Sequence, residues 1–183
     1  MQETHKIKIF ALQDFNILET FYRDISQDVT LEFIVRVRLH DDEVSVTLKG
    51  HLLVEYLINK IIEQRHETPE KVLGKSHNFT FSKKLQLVYS MGLLPDYLFE
   101  NINRINRLRN KLAHNLTFDL DKEDMSFTKT NGETINIYPK KSRYPERRYL
   151  KMLCFSTLSQ LERHMEYKLK LNPRFIESSK AKK

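Results

Sequence analysis

Arg109, Asn110, Lys111, Leu112, Ala113 and His114 (RNKLAH) bring a permanent cation, an amide and a titratable imidazole within six positions. An arginine fork grips two oxygens of a phosphate or carboxylate at once, and an imidazole exchanges protons near neutral pH. The set suits phosphodiester chemistry without a metal: the arginine offsets charge developing on the phosphoryl oxygens while the histidine moves a proton. On a helix, Arg109 and His114 project about 140° apart, whereas Asn110 and His114 share a face one turn apart.

The element that must position this cluster is itself readable. From Pro95 to Leu116 the apolar residues Leu98, Ile102, Ile105, Leu108, Leu112 and Leu116 step by three and four, which predicts a helix with one buried face. Arg109 falls within that stripe. Desolvating an unpaired charge costs several kcal/mol or more, so either a carboxylate meets Arg109 or a ligand anion does. Glu55 is a candidate carboxylate, in which case His114 and Asn115 only end the helix.

The same helix carries Arg104, Arg107 and Lys111 on one side, spaced by three and four. They read equally as a track for an RNA backbone and as a solvated helix face. Tyr89 and Tyr97 can stack on bases, but aromatics at helical spacing more often belong to the core.

Composition limits the alternatives. The chain has 183 residues, with 31 Lys plus Arg against 24 Asp plus Glu and a formal charge of +7, which favours polyanionic partners. Much of the surplus lies in 140–148 and 180–183. The single cysteine, Cys154, sits in the apolar run MLCF, so it reads as core and no internal disulfide is available. No signal-peptide core and no run of about 18 apolar residues is present, so a cytoplasmic protein without membrane contact is expected. The seven histidines include no HExxH pair, one cysteine cannot build a multi-cysteine zinc site, and no phosphate-cradling glycine loop appears. Neither a metal nor a cofactor is therefore expected.

Four glycines and five prolines leave long uninterrupted stretches, which favours helices. Ile9 to Arg38 is compatible with one helix, or with two if Asp28 caps a second at Val29. Asp41 or Asp42 caps the next, which runs to about Gln64 with a broad apolar surface from Leu52 to Ile62. Gly50 within it marks close approach of another backbone. Arg65 to Phe79 reads as a polar connection; Ser82 then caps a short helix that Gly92 stops, and Pro95 opens the RNKLAH helix. Asn131 and Gly132 separate Ser126–Thr130 from Glu133–Tyr138, which predicts a hairpin with a type I′ turn. A last helix runs from Pro145 and Glu146 to about Leu171, burying Leu150, Leu153, Cys154, Thr157, Leu158, Leu161 and Met165. The expected architecture is all-α: a bundle of about five helices, with a small β-hairpin at about 125–138 before the last one. It forms a single domain over 1–172, with a disordered basic tail over 173–183.

The run from Phe79 to Asn115, FTFSKKLQLVYSMGLLPDYLFENINRINRLRNKLAHN, resembles the HEPN family, higher eukaryotes and prokaryotes nucleotide-binding domains. The resemblance rests on an arginine and a histidine with four to six residues between them, four here, and a polar residue directly after the arginine. Arg109, Asn110 and His114 fill those places. SKKLQLVYSMGLL and the helix from Val44 to Ile62 are similar to the mannitol-repressor-like branch, whereas the hairpin at Asn131 departs from the common pattern. The resemblance implies a helical bundle that dimerises so that two motifs share a cleft, and a metal-independent endoribonuclease, often a toxin or phage-defence effector. Arg109, Asn110 and His114 would be catalytic, RNA the substrate, and an antitoxin or regulatory protein a further partner. Other family members only bind nucleotides or regulate partners, which is the alternative expectation.

Overall fold

The computed structural model describes residues 29, 30, 33, 37, 42–74, 79–114, 123, 126–129, 131–135 and 146–173, with backbone only at 146–149. Helices dominate these residues: α1 (Glu43–Arg65), α2 (Pro69–Leu73), α3 (Phe81–Ser90), α4 (Asp96–His114) and α5 (Glu146–Arg163), which continues as a π-helical stretch over His164–Leu169. A two-stranded antiparallel hairpin, β1 (Phe127–Thr128) and β2 (Thr134–Ile135), precedes α5. Among the described residues, five ranged helices with a hairpin before the last match the all-α architecture that the sequence predicts.

Local chemistry explains most boundaries. Asp42 caps α1, its Oδ1 accepting from the Ser45 N–H at 2.7 Å, and these hydrogen bonds hold its carboxyl below the usual range. α3 begins two residues earlier than the Ser82 cap predicts, because Thr80 is the N-cap and its Oγ1 accepts from the Lys83 N–H. Ser82 lies inside the first turn, where its hydroxyl meets α4 instead. Met91 and Gly92 end α3, with Gly92 at φ +70, a conformation that suits glycine. The connection after Arg65 is not wholly irregular. Pro69 starts the five-residue α2, which buries Val72 but is too short to show helical periodicity.

The hairpin forms with a different turn from the one predicted. Lys129 N–H donates to Glu133 O at 2.9 Å, and Gly132 N–H donates to Lys129 O at 3.0 Å. The loop between Lys129 and Glu133 is thus three residues long and places glycine at φ +82. Asn131 keeps a negative φ and uses its Oδ1 to accept from the Glu133 N–H at 3.1 Å. A type I′ turn would need positive φ at both residues.

α1 forms the middle of the core. Leu53, Val54, Leu57, Ile58, Ile61 and Ile62 are buried against α4 and α5, whose predicted inward residues Leu150, Leu153, Cys154, Thr157, Leu158, Leu161 and Met165 are all buried. A Cβ built on Gly50 would lie 2.7 Å from Cys154 Sγ, so glycine here permits the close packing of α1 on α5. Most of the predicted first helix and the tail beyond Pro173 lie outside the described residues. Val29 and Thr30 are helical, and the Val29 N–H is capped from the far end of the chain by Glu162 Oε1 at 2.6 Å. Among the described residues, no helix is long and apolar enough to cross a membrane.

Candidate functional site

Helix directions fix where the RNKLAH cluster sits. Asn106 Nδ2 donates to Ser82 Oγ, and Tyr89 stacks on Phe99 at 4.0 Å, so α3 and α4 are antiparallel. His51 lies against Phe81, and Lys84 pairs with Glu55, so α1 and α3 are parallel. The C-terminal end of α4 therefore runs past the start of α3, alongside the N-terminal half of α1.

Arg109 is half-buried at this end, on the edge of the apolar stripe rather than in its centre, with Leu108 buried and Leu112 half-buried. Its Nη1 donates to Asn110 Oδ1 at 2.9 Å. Glu55, the candidate structural partner, instead accepts from Lys84 Nζ at 3.0 Å. Among the described residues no carboxylate forms an ion pair with Arg109. Asn110 is half-buried, and His114 is exposed at the last position of α4. Arg109 and His114 diverge by about 140° around α4, with Asn110 about 40° from His114. One chain thus presents them in different directions.

The basic row lies on the other side of the helix, about 140–160° from Arg109. Arg104 Nη1 donates to the Ser126 carbonyl oxygen, and Lys111 Nζ reaches both Glu123 oxygens at 2.7 Å. Both side chains therefore hold the segment that follows α4. Arg107 is exposed, and it is the member of the row nearest in angle to His114, about 20° away. Tyr89 has a structural role, because its ring stacks on Phe99 and its hydroxyl donates to Asp96 Oδ1 at 2.8 Å. Tyr97 is half-buried beside the core.

Sequence reasoning missed the polar chain directly beneath Arg109. His51 is only 5% exposed, and its Nε2 lies 3.2 Å from Asn106 Oδ1, while Asn106 Nδ2 donates to Ser82 Oγ at 3.1 Å. Burial pushes the His51 imidazole below its ordinary value; Asn106 and Glu55 oppose that shift, and Arg109 adds to it. The available signal was spacing. Asn106 precedes Asn110 by one turn, and His51 follows Gly50 on the face of α1 that must be buried. Among the described residues, no group of three or more His, Cys, Asp or Glu side chains is arranged to hold a metal. No family model, curated protein or solved structure matches this chain.

Proposed function

We propose that this protein is a metal-independent endoribonuclease of HEPN type, acting in the cytoplasm as a toxin or phage-defence effector. The observation that carries this reading is the state of Arg109. It is half-buried, oriented by Asn110, and without an ion-paired carboxylate among the described residues, since Glu55 is taken by Lys84. A partly desolvated guanidinium of this kind is suited to bind a phosphate strongly.

In the proposed reaction, the RNA 2′-oxygen attacks the adjacent phosphorus. The 2′-hydroxyl proton passes to a base as the P–O2′ bond forms and the P–O5′ bond breaks. The departing 5′-oxygen takes up a proton, leaving a 2′,3′-cyclic phosphate and a 5′-hydroxyl. His114 transfers protons, Arg109 neutralises charge on the non-bridging oxygens, and Asn110 orients Arg109 or the phosphate. Arg107 guides the strand from the side of His114, with Arg104 and Lys111 adding positive potential.

Because Arg109 and His114 diverge on α4, the reading includes a homodimer in which one protomer's Arg109 faces the partner subunit's His114. Val44, Leu48 and Leu52 support this part. They recur every four residues along the outer face of α1 and are 45%, 41% and 62% exposed. Their end of α1 is the end that α4 approaches with Arg109. The same exposed stripe supports the second reading, a non-catalytic regulatory module that binds another protein there.

Purified protein incubated with single-stranded RNA in excess EDTA is expected to yield cyclic-phosphate ends, and His114→Ala to abolish them. Equal cutting by His114→Ala would overturn the catalytic assignment. RNA left intact by a dimeric wild type would favour the regulatory module.

A further inference from the structure

The chain from His51 through Asn106 to Ser82 has a direction. Asn106 Nδ2 donates to Ser82 Oγ, so its Oδ1 is the acceptor turned toward His51. The His51 Nε2 facing that oxygen must therefore carry the hydrogen. At the other end, Ser82 Oγ receives a hydrogen from Asn106, which leaves its own O–H free to donate. Ser82 is exposed, and among the described residues the hydrogen bond of its hydroxyl is the one it accepts from Asn106. Hydrogen bonds arranged in series polarise one another, so the terminal hydroxyl is an improved donor. Both inner members are buried, which holds that direction against competition from water.

The donor and the proposed phosphate clamp are linked to the same end of α4. Asn106 precedes Arg109 by three residues, about 4.5 Å along α4 and about 60° around it. Arg109 is also close enough to His51 to oppose its protonation. We propose that Ser82 is a further RNA-contacting residue, its hydroxyl donating to a non-bridging oxygen of the phosphate held at Arg109 or of the adjacent one. His51 and Asn106 are positioning residues that hold this hydroxyl in its donating orientation. The assignment rests on the ribonuclease reading and adds to it a contact from a second helix.

Binding of a single-stranded RNA oligonucleotide, followed by fluorescence anisotropy across a salt series in EDTA, tests the assignment. Ser82→Ala is expected to weaken binding about tenfold, the effect of one hydrogen bond to a charged group. Its salt dependence should match wild type, because no cation is lost. Ser82→Cys, which keeps the volume but donates poorly, is expected to show the same loss, and Ser82→Thr to retain affinity. Arg109→Ala should weaken binding and also reduce the slope of log affinity against log salt by about 0.7. Thermal melting of each variant separates a lost contact from a damaged fold. Wild-type affinity in both Ser82→Ala and Ser82→Cys would overturn the role of Ser82 while leaving the ribonuclease reading intact. A wild-type protein that binds no RNA, or an Arg109→Ala variant that binds normally, would overturn that reading and the Ser82 contact with it.

Discussion

His51 Nε2 and Asn106 Oδ1 lie 3.2 Å apart, joining the central helix to the RNKLAH helix one turn before Arg109. An apolar pair would have packed these helices equally well. A buried histidine and amide instead fix their register, because a slip of one residue would leave both polar groups unpaired.

The pH dependence of stability follows from two such imidazoles. Burial lowers the pKa of His51 and of His164, whose Nε2 lies 2.9 Å from the Leu93 carbonyl oxygen, relative to the ordinary value of 6.5. Below that value the unfolded chain binds protons that the folded chain resists, so stability is lost as pH falls. Above it this contribution is constant. Urea titrations at about pH 7.5 and about pH 5.5 should show this loss in wild type and a smaller one in His51→Gln/His164→Gln. An unchanged pH dependence in the double variant would contradict the neutral state of these imidazoles.

Gly50→Ala should destabilise the protein even though alanine favours helix by about 1 kcal/mol. The added Cβ falls 2.7 Å from Cys154 Sγ, and overpacking of this kind costs about 1–3 kcal/mol. Cys154→Ala removes the Sγ contact and leaves only the Cys154 Cβ, 3.1 Å from the added one, so the double variant should be more stable than the sum of the two single effects predicts. Strict additivity in denaturant unfolding would refute the contact. The Cys154 thiol is wholly buried and its pKa is pushed up to about 12, so alkylation at pH 8 should proceed only as the protein opens.

Glu162→Ala should cost about 2–3 kcal/mol, the scale of hydrogen bonds to a buried carboxylate. Glu162 accepts from the backbone N–H groups of Val29 and Thr30 and from the Thr30 hydroxyl. These residues lie far from it in sequence, so the loss should loosen the N-terminal segment from α5. Limited proteolysis would then cut ahead of α1 sooner than in wild type. Unchanged proteolysis together with an unchanged melting temperature would show that the cap contributes nothing.

Leu48→Asp/Leu52→Asp tests the exposed stripe. Both side chains are exposed, so melting of the protomer should change by less than about 1 kcal/mol, whereas a dimer joined through α1 should dissociate. Sedimentation at micromolar concentration reads the dissociation, and RNA cleavage should be lost with the dimer. A variant that remains dimeric and active would place the interface elsewhere.

Much of the helical order is legible because periodicity and caps are local. Asp42 sits where a side-chain acceptor precedes α1, and the inward residues of α5 recur by three and four from Leu150 to Met165. α2 is not legible, since five residues around Val72 cannot display a period. The α3 start is misjudged by two residues because Thr80 and Ser82 are both acceptable caps, and only the bond from Asn106 shows that Ser82 is engaged elsewhere. The turn at Asn131 is misjudged because Asn-Gly fits two loop lengths, and the Lys129–Glu133 pairing selects the longer.

The sequence alone determined that an arginine, an amide and a histidine share the end of one helix, since their spacing and the apolar stripe beside them are properties of a single segment. Only the tertiary structure decided who their neighbours are. That Glu55 pairs with Lys84 rather than Arg109, that Arg104 and Lys111 hold the chain beyond α4, and that His51 lies beneath the cluster all depend on contacts between segments far apart in sequence. The physical reason is one of range. Helix periods and caps act within four residues, whereas the pairing of a buried polar group is set by whichever side chain the packing of α1, α3 and α4 brings within about 3 Å.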